Sequence, residues 1–403
     1  MTRSSRIAQG ISRGILVLVN IYWLPLSLQE AALLAIAIPA ALVRLAPENH
    51  VATYSVLASL INVVNVFLPW PVGALSDKLR GQGTPRQAIA LLGAALNVAG
   101  LVLAAGAHTV PVFYETILLA TVGQAISTTA YQAMLPDAVA RSLWGVASGI
   151  RGAVTLLGTV FGLALGGLFD PKTVFIACAC IVAVGAFSLR GLAPREHDAE
   201  DHAHIRDWYD FVVVFIGRAC IVFGLTLLGT FVLYFFRDVL HVADPSRGTG
   251  LTGISGLVGA VLSSIVLGIL SDRIRPYRKI IVALCGVPMT LAALGYVIAP
   301  HESSVFIAAL IFGIGYGGVL SNGWALALDA MPAMRDVARD LGIWGMATHL
   351  PAIVAPLVGA ALIKYFNGSL TGYRTLFALA AFAFAVGSVS ALFVKGNGNH
   401  ARG

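Results

Sequence analysis

Gly73–Arg80 reads GALSDKLR, and Gly268–Arg275 reads GILSDRIR, so an apolar-then-charged signature at position 73 returns at position 268 of a 403-residue chain. The match sets Gly73 against Gly268, Leu75 against Leu270, Ser76 against Ser271 and Asp77 against Asp272. Each copy closes a long apolar run, which marks a duplicated unit rather than a chance motif. Two further echoes support the duplication. MLPD ending at Asp137 resembles DAMP ending at Pro332, and Arg141-Ser-Leu resembles Arg339-Asp-Leu.

Working outward, the composition says what solvent the duplicated unit lives in. Apolar residues make up 58% of the chain and charged residues 11%, with a mean hydropathy of +0.85, whereas a soluble domain carries roughly 25% charge. Such a chain has too little polar surface to cover a water-facing fold. Apolar runs of bilayer-crossing length recur near residues 15–43, 51–75, 87–107, 111–135, 144–168, 173–191, 208–236, 251–270, 279–299, 304–329, 341–364 and 373–395. This predicts an all-α membrane protein with twelve transmembrane helices in two pseudo-symmetric six-helix bundles. The boundaries fall at 1–191, a linker at 192–206 and 207–403. The linker, LAPREHDAEDHAHIR, is the longest polar interval between spans. Its His197, His202 and His204 lack ordered metal-ligand spacing and are assigned no site.

Charge placement orients the chain. With the N-terminus inside, eighteen of the 26 Lys and Arg fall in inside segments and six outside. That excess places both termini in the cytoplasm of a plasma (inner) membrane protein. The formal charge of +7 is spread over short loops and forms no basic stripe, so no nucleic-acid partner is expected. The first apolar run is too long for a signal peptide and is expected to stay as a helix. Cys178, Cys180, Cys220 and Cys285 all lie in apolar segments, with no disulfide framework or metal knuckle. No nucleophile, base and orienter set appears, so an enzyme is not expected, nor is a cofactor or a metal.

The combination of twelve spans, a central loop and twin signatures resembles the major facilitator superfamily over the whole chain. In that family the loop between the second and third helices carries a Gly-x-Leu-x-Asp-Arg/Lys-x-Gly-Arg-Arg/Lys signature, matched here by Gly73, Leu75, Asp77 and Lys78. Arg80 stands at the second Gly position, with Gly81 one residue late. The resemblance implies a conformational latch at Gly73 and Asp77 and again at Gly268 and Asp272. Gly allows close helix approach, and the carboxylate can meet a helix N-terminus or a basic partner. It also implies transport of a small solute by rocking of the two halves around a site between them.

Within the superfamily, the seventh helix (DFVVVFIGRACIVFGLTLLGTFVLYFFRD) and the eleventh (RDLGIWGMATHLPAIVAPLVG) resemble the glycoside-pentoside-hexuronide and sucrose-proton symporters. Gly158, Gly162, Gly166 and Gly167 match the family's antiporter glycine pattern except that Leu163 replaces its Pro. Leu119 stands where proton antiporters place an Arg. Both departures argue against drug-proton antiport.

Ionisable residues within spans each cost several kcal/mol unless paired or wetted. Glu30 lies near the middle of the first helix, Glu115 in the outer part of the fourth, Arg151 in the inner part of the fifth and Arg218 in the inner half of the seventh. Glu30 and Glu115 are the expected coupling carboxylates. Trp23, Arg151, Arg218, Asn322 and Trp324 are the expected substrate contacts, aromatic faces suiting sugar rings and amides suiting hydroxyls. Gln124 at these levels also offers hydrogen bonds to hydroxyls, and the other aromatics there serve equally as packing or anchoring groups. His349 reads as a hydrogen-bonded core residue. The expected function is proton-coupled symport of a sugar or glycoside by a monomer, with the solute, a proton and the lipid bilayer as partners. An organic-anion carrier using Arg151 and Arg218, a drug-proton antiporter, and a non-transporting sensor or assembly factor on the same fold remain alternatives.

Overall fold

The computed structural model describes residues 14, 16–83, 85–139, 143–191, 208–273, 278–298, 301–331 and 336–395. Twelve helices of membrane-crossing length are found among them: α1 Leu16–Leu45, α2 Val56–Gly81, α3 Arg86–Ala105, α4 Val110–Ala138, α5 Trp144–Leu168, α6 Pro171–Arg190, α7 Trp208–Asp238, α8 Arg247–Leu270, α9 Arg278–Ile298, α10 Glu302–Asp329, α11 Val337–Tyr365 and α12 Leu370–Phe393. The expected all-α membrane fold with twelve spans therefore holds. The expected linker at 192–206 lies outside the described residues.

The chain forms two compact units. The first comprises residues 1–143, 154–204 and 333–346, and the second 144–153, 205–332 and 347–403. In the first unit, apolar side chains of α1, α2, α3, α4 and α6 form the core, including Ala32, Leu42, Leu57, Leu101, Phe113 and Phe175. In the second, α7, α9, α10, α11 and α12 do so around Leu227, Phe235, Met289, Val305, Phe377 and Phe384. Large apolar side chains such as Leu92, Leu168, Val184, Leu262 and Phe382 remain exposed. Outward-facing hydrophobes of this kind suit lipid, because lipid tails rather than water surround the spans.

Proline disturbs the helical ladder in the first two spans, whereas α9 and α11 run through Pro288, Pro351 and Pro356. In α1 the ladder widens to a π-turn over Leu33–Ala37 just before Pro39, since proline cannot donate to the preceding turn. This irregularity starts three residues after Glu30. α2 is interrupted at Leu68, ahead of Pro69. Outside the spans, Asp170 caps α6: its carboxylate accepts from the Thr173 hydroxyl (2.6 Å) and the Thr173 amide (3.2 Å). Those bonds, the side-chain one first, hold the Asp170 carboxyl below the usual carboxylate range.

Candidate functional site

In the first unit, the glycine face of α5 brings α1 into close contact. A Cβ at Gly158 would fall 2.6 Å from Leu24 O, one at Gly162 would meet the Leu28 carbonyl and lie 3.0 Å from Ala31 Cβ, and one at Gly166 would lie 3.0 Å from Ile36 Cβ. Small residues at i, i+4 and i+8 let backbones touch along a line. These contacts run from Leu24 to Ile36 and bracket Glu30.

Next to Glu30, Gln29 is buried in an amide cluster. Its Nε2 donates to Asn97 Oδ1 (3.2 Å) and Gln124 Oε1 (2.9 Å), and Asn97 Nδ2 donates back to Gln29 Oε1 (3.0 Å). The reciprocal bonds tie α1 to α3 and α4 and fix the rotation of α1. One residue on, Glu30 is exposed and has no hydrogen bond or ion pair among the described residues. The result is an accessible carboxylate in mid-span beside an amide cluster whose bonds are mutually satisfied. Glu115 is also exposed, five residues into the shorter helical run Val110–Gln132, far along α4 from Gln124.

At the end where α2 meets α3, charges gather. Arg86 opens α3 and donates through Nε to Asp137 Oδ2 of α4 (2.7 Å), while its Nη2 lies 2.8 Å from Asp77 Oδ1 of α2 and its Nη1 donates to Ser76 Oγ (3.2 Å). Arg80 reaches Asp137 at 3.0 Å. Asp77 also accepts the amides of Ala338 (3.3 Å) and Arg339 (2.9 Å) at the start of α11. Gly73 lies beneath that first turn: a Cβ there would strike the Ala338 carbonyl and fall 2.7 Å from Arg339 Cα. Gly73 and Asp77 thus hold the first turn of α11, with the carboxylate meeting a helix N-terminus and its partial positive charge.

The second unit repeats the geometry. Arg278 opens α9 and pairs with Asp329 at the end of α10, a separation of 51 residues that equals the separation of Arg86 and Asp137. Gly268 lies against Gly149 and Gly145 of α5, with the Gly149 Cα 2.8 Å from its would-be Cβ. Ser264 Oγ donates to Gly149 O (3.0 Å). The side chain of Asp272 lies outside the described residues.

Of the expected substrate contacts, Arg151 and Trp324 come together: the guanidinium carbon lies 4.6 Å from the indole centroid. Asn322, fully buried, donates through Nδ2 to Gly318 O (2.9 Å) and Ser321 Oγ (3.0 Å). Its Oδ1 and the Trp324 Nε1 have no hydrogen-bond partner among the described residues. Nearby, Ser148 Oγ donates to the Ser321 carbonyl. Arg218 is half-buried and its Nε donates to Thr348 Oγ1 (3.4 Å), one residue before His349. Trp23 is buried in the first unit, its ring 5.4 Å from Tyr131, whose hydroxyl donates to Val19 O (2.7 Å).

Sequence reading missed Gln29, Asn97, Arg86 and Arg278. The signal for the amides was their shared depth near the middle of α1, α3 and α4. For the arginines it was the repeated spacing to an Asp. That spacing sets Asp137 against Asp329, and the crossing contacts register Ala338 with Gly145. Pro332 and Arg141, on which the two further sequence echoes fall, lie outside the described residues.

Twelve helices of membrane-crossing length, with a close glycine crossing repeated in each unit, define a duplicated polytopic membrane protein. The sequence matches the Major Facilitator Superfamily over residues 26–335 and 214–402, and the chain belongs to that superfamily, whose members move small solutes by alternating access. Among curated relatives it is 23% identical to the multi-drug resistance efflux pump PmrA of Streptococcus pneumoniae over 348 residues, covering 81% of this chain and 84% of the pump. It is 24% identical to the PmrA homolog of Lactococcus lactis over 253 residues, 58% of this chain and 61% of that protein. Among solved structures, the fucose:proton symporter FucP of E. coli superposes with a TM-score of 0.76 at 12% identity, covering 94% of this chain and 98% of FucP. The human organic anion transporter MFSD10 does so with 0.73 at 13% identity, covering 94% and 99%. At these identities the structural likeness speaks to fold alone.

Proposed function

We propose that the chain exports amphipathic organic compounds in exchange for protons, with Glu30 as the group that binds the proton. The observation that carries the reading is Glu30 itself: exposed, in mid-span, without a hydrogen bond or ion pair among the described residues, and flanked by an α5 glycine face and an amide lock that hold it in place. With no bond to break among the described residues, its carboxyl can gain and lose a proton without disturbing the amide lock beside it. The exporter direction rests on the curated relatives, which are named as multidrug efflux pumps. Leu119 and Leu163, where drug-proton antiporters place an Arg and a Pro, mean that coupling would fall to Glu30 instead. On this reading the α2–α3 end faces the cytoplasm with both termini, the membrane is the plasma membrane, and the working unit is a monomer.

A second reading is proton-coupled uptake of a sugar or glycoside. The observation favouring it is the pair of unpartnered buried polar atoms on α10, Asn322 Oδ1 and Trp324 Nε1, an acceptor and a donor able to meet a hydroxyl-rich solute.

Proteoliposomes with an imposed proton gradient separate the two. Gradient-driven movement of a lipophilic cationic dye, abolished in Glu30→Gln, is the expected result. Accumulation of a neutral glycoside from a panel, with no dye movement, establishes the second reading. Dye movement that stays gradient-driven in Glu30→Gln overturns the role of Glu30.

A further inference from the structure

Along α1 the buried positions Gln29, Leu33, Ile38 and Leu42 follow steps of four, five and four residues. A regular helix turns by about 100° per residue, so the five-residue step takes up one extra residue and keeps both ends of α1 facing the core of the first unit. That step is the π-turn over Leu33–Ala37, in which the Ile38 amide bonds to Leu33 O and passes over Leu34 O. The next donor in the same register would be residue 39, and Pro39 has no N–H. A backbone carbonyl inside a span then needs a donor from elsewhere in the protein. Tyr54, on the helical run His50–Phe67 that leads through α2, supplies it: its hydroxyl donates to Leu34 O at 2.8 Å. The adjoining Thr53 carbonyl accepts the Tyr114 hydroxyl of α4, so α4 braces the segment that carries Tyr54.

We infer that Tyr54 is a positioning residue for the Glu30 site: its hydroxyl is the donor that Pro39 cannot be, and it pins the extra residue of α1 on the far side of Glu30. The assignment rests on the reading of Glu30 as the proton-binding group. With Leu34 O held, Glu30 keeps the register of Gln29 and its amide lock, and its carboxylate stays exposed. Without that bond the extra residue can slide toward the N-terminus, each carbonyl passing its donor to the next. Once it has passed Glu30, the chain from Glu30 through Leu34 and Ile38 to Leu42 runs in regular four-residue steps. Glu30 is then turned by about 100° onto the face that Ile38 and Leu42 bury. The tyrosine hydroxyl thus decides whether the carboxylate lies on the accessible or on the core-facing side of α1.

The test is the reaction of Glu30 with a lipophilic carbodiimide, followed by peptide mass spectrometry on the full chain in proteoliposomes, with gradient-driven movement of a lipophilic cationic dye measured on the same preparations. Tyr54→Phe removes one hydroxyl and keeps the ring that packs on the core of the first unit. Its Glu30 is expected to react more slowly, by roughly fivefold or more, and dye movement to fall with it. Pro39→Ala added to Tyr54→Phe gives residue 39 an amide for Leu34 O and is expected to restore both. Unchanged Glu30 labelling in Tyr54→Phe overturns the inference, and so does a double variant that labels no faster than Tyr54→Phe. Labelling that follows Tyr54 in a protein whose dye movement ignores Glu30→Gln upholds the positioning and rejects Glu30 as the coupling group.

Discussion

The crossing of α2 with the start of α11 and the crossing of α8 with the start of α5 share one register and differ in what fills it. In the first, Gly73 meets Ala338, and four residues apart on each helix Pro69 meets Gly342. In the second, Gly268 meets Gly145, and Ser264 meets Gly149 with the same four-residue step. Duplication preserved the backbone approach. Among the described residues, the α2 crossing carries a carboxylate cap and a network of shared arginines, and the α8 crossing carries a hydroxyl on a backbone carbonyl and, close by, the ion pair between Arg278 and Asp329. The side chains of Asp272 and Arg273 lie outside the described residues, so the difference that can be tested is between Arg86 with its two described carboxylates and Arg278 with Asp329.

The largest test of that difference removes the arginines. Arg86→Gln strips two carboxylates of their shared cation, and breaking a buried pair costs about 3–5 kcal/mol because the remaining charge stays buried. Arg278→Gln strips Asp329, its carboxylate partner among the described residues, whose side chain is 20% exposed and can rehydrate. The thermal midpoint of purified protein is expected to fall further for Arg86→Gln. Equal losses would mean that Asp77 adds nothing to the first crossing.

Glycine substitution probes the shared part. A methyl at Gly73 strikes a backbone carbonyl of α11, which cannot rotate away, and overpacking of this kind costs about 1–3 kcal/mol. Gly73→Ala should therefore slow gradient-driven transport by roughly tenfold for each 1.4 kcal/mol, and Gly268→Ala should do less, because the nearest atoms belong to glycines and the helices can part slightly. Transport assayed in proteoliposomes checks both. A larger defect in Gly268→Ala would show that the second crossing limits the cycle.

How much of this could be read before the structure follows from the same residues. Hydropathy alone marks the twelve spans because every apolar run must be long enough for lipid. The Gly73 and Gly268 match exposed the duplication because a side chain at either position would press on the backbone of the crossing helix. The finer register was hidden by loop length: Gly73 to Arg86 is thirteen residues, but Gly268 to Arg278 is ten. An offset read from the signature therefore misses the paired Asp137 and Asp329 by three. At the candidate site, Glu30 was legible as an ionisable residue in mid-span. The Gln29, Asn97 and Gln124 lock was not, because mutual pairing of amides is a matter of helix rotation, which no single helix encodes.

The smallest expected effect lies at the α8 crossing and isolates its hydroxyl. Ser264→Ala removes the bond to Gly149 O, a net loss of about 0.5–1.5 kcal/mol. The same hydroxyl occupies the space into which a side chain at Gly152 would grow, while the next neighbours there, carbons of Leu320, stand at 3.5 Å, an ordinary contact. Gly152→Ala alone should therefore destabilise by forcing the hydroxyl aside, and Gly152→Ala in a Ser264→Ala background should cost little more than Ser264→Ala does. The thermal midpoints of the four proteins form a cycle whose interaction energy measures the conflict. Strict additivity would mean that the serine turns away at no cost, and the hydroxyl would then contribute nothing that distinguishes this crossing from its α2 counterpart, where Pro69 has no side-chain donor to offer.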